Sequence, residues 1–380
     1  MSQDAKAWIA GIIERCAHEM MQQDMRALGL DVGLRGFRFN RSIYANMALH
    51  FFLAVVATGL LFVQPFVALG LHLLVGVSYW LDSNKRAKIL RRLFPFRASQ
   101  NLVATHPASG ALRKRLVFVS HIDAAFTGWI FHPTMIKMAT TPPPIKALAF
   151  TSKSMLLATL AVFGLAALDA VVGVVGMSWP LAALAALLSI TPLLTCALNA
   201  QVVLRDTVVP GANDNLSGCW ANLELARRLV PDCPPDVELV FVATGCEEAG
   251  TGGSWALADD LQDTWERAHT IILGIDSLTN GTLRYFIEGE LLTLPPPAHL
   301  VEAIAQHAPE VTGFEIPSGA TDAQAWLVRG FDAISFGCVD PEIGAPRHYH
   351  YPTDNVQNMD TEQLARSVDI VERVARAIMA

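Results

Sequence analysis

Little of this 380-residue chain is charged. Asp, Glu, Lys and Arg make up 17% of it, against roughly a quarter in an ordinary soluble domain. Hydrophobic residues account for 52% and the mean hydropathy is +0.36, so a wholly water-exposed globule is excluded first and membrane segments are sought. Positive charge is not in excess either: the net charge is −7, which leaves no basic face for a nucleic acid and removes that class of partner. Cysteines number six, without a CxxC pair or regular spacing, which predicts reduced, buried thiols rather than a disulfide framework. The opening MSQDAKAWIAG has no basic leader and no apolar run before a small-residue cleavage site, so no cleaved signal peptide is expected.

What the chain does have is apolar length. From Ile43 to Leu81 it is almost uncharged, interrupted at Gln64-Pro65, and a second run spans about Ser154 to Ala200, broken at Met177-Ser178-Trp179-Pro180. A bilayer core of ~30 Å takes about 20 helical residues, so each run predicts a transmembrane helical hairpin, over 43–82 and 154–200. Arg35, Arg38 and Arg41 precede the first hairpin, and Lys85, Arg86, Lys88, Arg91 and Arg92 follow it. Lys146 and Lys153 precede the second, Arg205 follows it, and both tips lack Lys and Arg. The positive-inside rule then predicts a multi-pass integral membrane protein with its soluble domain facing the cytoplasm. Asp169, inside an apolar span, is expected to face the helix bundle.

Residues 6–29 place Trp8, Ile9, Ile12, Ile13, Cys16 and Met20 at helical spacing, an amphipathic helix that defines an N-terminal segment 1–42. Within it His18-Glu19 opens an HExxH-like pattern, but Gln22 stands where the second His is needed, and the motif fails. The remainder, 100–380 apart from the second hairpin, alternates strand-like runs (Arg115–Ser120, Val237–Thr244, Thr270–Ile275, Ala333–Phe336) with helical ones (Cys219–Leu229, Ala298–His307, Ala323–Arg329, Thr361–Met379). That pattern predicts an α/β fold: a mixed, mostly parallel central sheet flanked by helices.

Five polar clusters follow strand-like runs or sit in tight loops, where open α/β sheets place their sites. They are His121-Ile-Asp123; Gly211-Ala-Asn-Asp214-Asn-Leu-Ser217-Gly218; Glu247-Glu248; Asp276; and His350-Tyr-Pro-Thr353-Asp354-Asn355. Singly each has a bland reading: a surface HxD, a solvated acidic pair, a satisfied core histidine. Together they supply a nitrogen and oxygen donor set suited to Zn²⁺, flanked by small residues that let the backbone approach closely.

The order HxD, GAxDNxSG, EE followed by GxxGS, Asp, then HxPxDx resembles the co-catalytic dizinc aminopeptidase family, whose relatives include aminopeptidase S types, glutamate carboxypeptidases and glutaminyl cyclases. The resemblance covers roughly Val103 to Ala380; the long interval between His121 and Asp214 is filled by the second hairpin. It implies a zinc-exopeptidase fold and two Zn²⁺ per chain. His121 and His350 would each bind one ion, Asp214 would bridge both, and Glu248 and Asp276 would complete the two ligand sets. Asp123 would accept the other imidazole N–H of His121. Glu247 would be the general base toward the attacking water, and the Asp214–Asn215 peptide would be cis.

The implied activity is release of an N-terminal residue from a peptide, with carboxypeptidase or amidase action, one-zinc cyclisation of the glutaminyl cyclase type, and a non-catalytic receptor or scaffold as alternatives. Asp322 matches a position near substrate in relatives and equally reads as a helix N-cap. His348 competes with His350 as ligand or touches substrate, and Tyr285 and Tyr349 are candidates to bind the oxyanion. The expected partners are a peptide, apolar or membrane-associated, and the lipid bilayer; oligomeric state stays open.

Overall fold

A computed structural model of the chain describes residues 16–141 and 152–380. Its centre is an eight-stranded sheet in the order β1-β2-β4-β3-β5-β8-β6-β7. The strands are β1 (Asp31–Phe39), β2 (Arg97–His106), β3 (Lys114–His121), β4 (Val237–Thr244), β5 (Thr270–Ile275), β6 (Thr282–Ile287), β7 (Thr312–Glu315) and β8 (Asp332–Val339). The run β4-β3-β5-β8 is parallel. β1, β2 and β6 join antiparallel, and β7 is parallel to β6. The four central strands are apolar without alternation because both sheet faces are covered.

One face packs against α1 (residues 16–27), α7 (Gly218–Leu229), α9 (Ala298–His307) and α11 (Thr361–Met379). The other packs against α8 (Gly252–Leu261) and α10 (Ala323–Leu327). The amphipathic segment expected over 6–29 is therefore helical over 16–27, where Met21 and Met25 reach the core; its beginning lies outside the described residues. His18 points its Nε2 at the Ala243 carbonyl, 3.3 Å away.

Both apolar runs form helical pairs: α2 (Ile43–Leu60) with α3 (Pro65–Ser83), and α5 (Ser154–Val175) with α6 (Trp179–Arg205). All four are long and apolar enough to cross a membrane. α4 (Pro133–Thr140) is a short helix before the second pair. The long helices close a ring, α2 on α3, α3 on α5, α5 on α6 and α6 on α2. Inside the ring, His72 Nδ1 lies 2.6 Å from Asp169 Oδ2, both side chains fully buried, and His72 Nε2 lies 3.0 Å from the Ala54 carbonyl. Asp169 thus faces the bundle, as an acid in an apolar span must. Outward, Phe52, Phe66, Val67, Leu73, Leu187 and Leu193 are exposed.

The first pair leaves β1 and returns into β2, which pair antiparallel from Asp31↔Thr105 to Phe39↔Arg97. The hairpin is thereby planted on the sheet edge at both ends. Neither strand stood out in the sequence, since β1 (DVGLRGFRF) carries two glycines and is largely exposed.

Candidate metal centre

The donors converge at the carboxyl ends of the parallel strands. His121 ends β3, Glu247 and Glu248 follow β4, Asp276 follows β5, and His350 lies beyond β8. Asp214 comes from the turn before α7, where the Asp214–Asn215 peptide is cis. That turn is pinned by Asn215, which donates through Nδ2 to the Ile275 carbonyl at 2.8 Å and accepts the Gly218 N–H at 2.9 Å. A β-carbon on Gly218 would stand 2.3 Å from Asn215 Oδ1 and 2.7 Å from the Ile275 oxygen, so only glycine fits. Cys246, Thr251, Ser277 and His350 all have left-handed backbone, a conformation uncommon for such residues and concentrated at functional sites.

Asp214 divides the cluster. Its Oδ1 lies 3.1 Å from His121 Nε2, which is 3.8 Å from Asp276 Oδ2. Its Oδ2 lies 3.2 Å from His350 Nε2, which is 3.3 Å from Glu248 Oε2. Two groups of potential ligands, His121–Asp214–Asp276 and Asp214–Glu248–His350, thus share one carboxylate. Glu247 and Glu248 form a further group with His121. His121 Nε2 and Glu248 Oε1 are buried and make no hydrogen bond, although buried polar atoms almost always have partners. Two imidazole nitrogens, several hard oxygens and orphaned atoms aimed at one another fit zinc.

The charge balance fits as well. Burial opposes ionisation of Asp214, but the adjacent imidazoles of His121 and His350 outweigh it and hold its carboxyl well below the usual range. Burial together with the Asp214 charge pushes Asp276 up to about 7. Burial acts to lower His350, but Glu248 and Asp214 outweigh it and raise the imidazole to about 10. So many acids in a water-poor space leave negative charge that a cation would offset.

The supporting contacts differ from expectation in one respect. His121 Nδ1 faces the backbone carbonyl of Asp123 at 3.1 Å, with the carboxylate at 3.7 Å. That carboxylate instead accepts the N–H groups of Glu247 and Glu248 at 3.0 and 3.1 Å, fixing the backbone that carries the acidic pair. Tyr349 stacks on His350 and lines the chamber in front of the cluster. Asp322 is buried behind it, accepting from Thr244 Oγ1 at 2.7 Å. His348 turns to Thr353, and Tyr285 lies on β6 against Gly313. None of these last three lines the chamber.

Three supports had no assigned role in the sequence. Asp354 accepts the N–H groups of Asn213 and Asp214 at 2.7 and 3.1 Å; its place in the HxPxDx pattern was the available hint. Tyr44, in the first turn of α2, brings its hydroxyl 3.2 Å from His350 Nδ1. Arg91 donates to the Ala249 carbonyl at 2.7 Å while paired bidentately with Asp82. A lone acid near the end of an apolar helix, Asp82, could have flagged a buried cation; nothing in an apolar run marks Tyr44.

The order, spacing and donor set of this cluster accompany a direct similarity. Residues 200–375 match peptidase family M28. The match takes in under half of the chain. The M28 segment holds Asp214, Glu247, Glu248, Asp276 and His350. It begins near the end of α6, so the second helical pair separates it from His121. The chain is 31% identical over 167 residues to aminopeptidase YwaD of Bacillus subtilis (strain 168), 43% of this chain and 36% of that one, so it matches about a third of the length of that curated relative. In fold, the aminopeptidase of Aneurinibacillus sp. strain AM-1 agrees with a TM-score of 0.54 at 15% identity, over 95% of this chain and 87% of that one. The glutaminyl cyclase of Fimbriiglobus ruber agrees at 0.51 and 12% identity, over 97% and 94%. Both are likenesses of fold.

Proposed function

We propose that the chain is a membrane-embedded, zinc-dependent aminopeptidase holding two Zn²⁺, with its soluble α/β domain on the cytoplasmic side. The observation that carries the metal reading is Asp214, whose two oxygens face two separate ligand groups. His121 and Asp276 would hold one ion, His350 and Glu248 the other, and Asp214 would join them. When bound, the zinc ions supply Lewis-acid polarisation of the scissile carbonyl and bring a water's pKa near neutrality. Glu247, at the chamber wall, takes a proton from the attacking water and returns it to the departing amine. Asp123 keeps Glu247 and Glu248 aimed by holding both backbone N–H groups. Tyr44 and the Asp123 carbonyl fix the imidazoles of His350 and His121 through the nitrogens turned away from the acids.

The basic residues flanking both helical pairs support the orientation. The domain division that follows is an N-terminal segment, a first hairpin, and a peptidase domain interrupted by the second hairpin.

The test is Glu247→Gln in the purified full chain. Two zincs per chain by elemental analysis are expected in parent and variant alike. Hydrolysis of aminoacyl and peptidyl substrates should fall at least about a thousandfold, the scale of losing a proton-transfer group. One zinc per chain with cyclisation of glutaminyl peptides would point to the cyclase chemistry instead, and a fully active variant would remove Glu247 as the base.

A further inference from the structure

In front of the catalytic cluster lies a chamber of about 490 Å³, and much of its wall comes from the membrane-type helices. Met47 of α2, Met155 of α5, and Leu194 and Leu198 of α6 line it, with Phe131 and Met135 beside them. On α6 the lining positions Thr191, Leu194, Thr195 and Leu198 recur at steps of three and four, one helical face turned inward. Asp214, Glu247, Glu248, Asp276 and His350 close the other end. The second hairpin therefore does more than anchor the domain, because it completes the wall of the space in front of the cluster.

The mouth can be located. Leu194 and Met135 line the chamber and are also 54% and 38% exposed, so they stand on its rim. Along α6 the neighbours Leu187, Ile190 and Leu193 are exposed as well. The rim thus opens on the apolar outer face of that helix. Leu194 lies about three turns before Arg205, roughly 16 Å along the axis at ~1.5 Å per residue, well inside the apolar stretch. With α6 in a bilayer, a peptide leaving the cluster through this opening would meet lipid before it met water. On the helix side Ser154, Thr191, Thr195 and Asn199, and on the domain side Lys85, Thr251, Glu290 and Ser318, offer hydrogen-bonding groups of the kind that an extended backbone in an apolar space requires.

We propose that the chamber selects polypeptides with apolar side chains just after the scissile bond, held in the bilayer and presented to the site laterally between α6 and α4. This rests on the aminopeptidase reading for the bond broken, but the selection itself is a property of the chamber. Apolar residues after the scissile bond would exchange water or lipid for Met47, Met155 and Leu198. Polar ones set against that apolar side of the wall would lose hydration without gaining partners there.

The experiment uses the full chain in lipid nanodiscs supplied with zinc. Three peptides begin with the same alanine: one continues Leu-Leu-Phe, one Ser-Gln-Ser, and one carries the apolar sequence joined to a membrane-spanning helix. The apolar soluble peptide should exceed the polar one in kcat/KM at least about tenfold, mainly through KM, since a hydrophobic pocket discriminates by about that much or more per methylene. Tethering in the same disc should add a further tenfold or more through local concentration. Met155→Trp and Leu198→Trp, which fill the chamber, should erase most of the apolar preference. Binding of fluorescently labelled soluble peptides to Glu247→Gln supplies a readout free of turnover, with the apolar peptide expected about tenfold tighter.

Equal binding of apolar and polar peptides overturns the selection. Undiminished discrimination in both tryptophan variants overturns the location, and loss of the tethered peptide's advantage overturns presentation from lipid. If the parent cleaves nothing while Glu247→Gln still binds the apolar peptide preferentially, the peptidase reading fails and the chamber stands.

Discussion

At the scale of single residues, the second ring nitrogen of His121 and of His350 decides how firmly that side chain is held. His350 is wedged between Tyr349 and Phe131, with ring centroids 3.9 and 4.5 Å away, so its plane is set by packing and its tautomer by Tyr44. Removing that hydroxyl leaves a polar ring nitrogen buried among apolar neighbours. Tyr44→Phe should lower both zinc affinity and kcat by roughly tenfold to a hundredfold, the usual effect of losing a group that orients a ligand. Competition against a calibrated chelator measures the first and steady-state kinetics the second. Unchanged values in both would reduce Tyr44 to a packing residue. The donors themselves were legible as residue types next to strand ends. Tyr44 was not, because one tyrosine among apolar residues carries no periodicity or motif of its own.

At the scale of elements, the first helical pair is tied to the loop that carries Glu247 and Glu248 by a buried strut. Asp82 at the end of α3 holds Arg91, and Arg91 also reaches Asn40 Oδ1 at 2.5 Å and the Ala249 carbonyl beside Glu248. Asp82 and Arg91 are both almost fully buried, so breaking the pair strands a charge, which typically costs about 3–5 kcal/mol, whereas replacing both partners by apolar groups is often near neutral. Arg91→Met should therefore destabilise the chain strongly, and Asp82→Leu combined with Arg91→Met should regain most of the loss in thermal unfolding. The double variant should still turn over at least about tenfold more slowly, because the Ala249 carbonyl has lost its donor and the acidic pair its fixed backbone. Full recovery of rate with stability would show that the strut serves folding alone. The boundaries of α9, α11, β4 and β5 followed from their apolar patterns, whereas β1 was hidden by its glycines and exposure and β2 by its polar, exposed first half.

At the scale of the molecule, the centre gathers acids from strands far apart in the chain into one nearly dry volume. Asp123, Asp214, Glu247, Glu248, Asp276 and Asp322 all lie within or against it, with burial opposing ionisation of each. Ions bound only by the folded chain stabilise it by mass action, about 2.7 kcal/mol when free metal is a hundred times Kd. Chelation should then lower the unfolding temperature by several degrees, and added Zn²⁺ should restore it. Differential scanning calorimetry in detergent or nanodiscs reads this directly; an unchanged unfolding temperature after verified removal of zinc would argue against a centre built for cations.

The sequence by itself determined that this protein has two pairs of apolar helices, an α/β body and five clusters of zinc-type donors in a recognisable order. These are local properties, written in periodicity, composition and short motifs. Only the tertiary structure decided that Asp214 faces two ligand groups, that Asp123 holds the acidic pair, and that α2, α5 and α6 wall the space in front of the site. Those facts depend on which distant segments the sheet order brings together, and a contact such as Tyr44 with His350 has no signature in the residues adjacent to either partner.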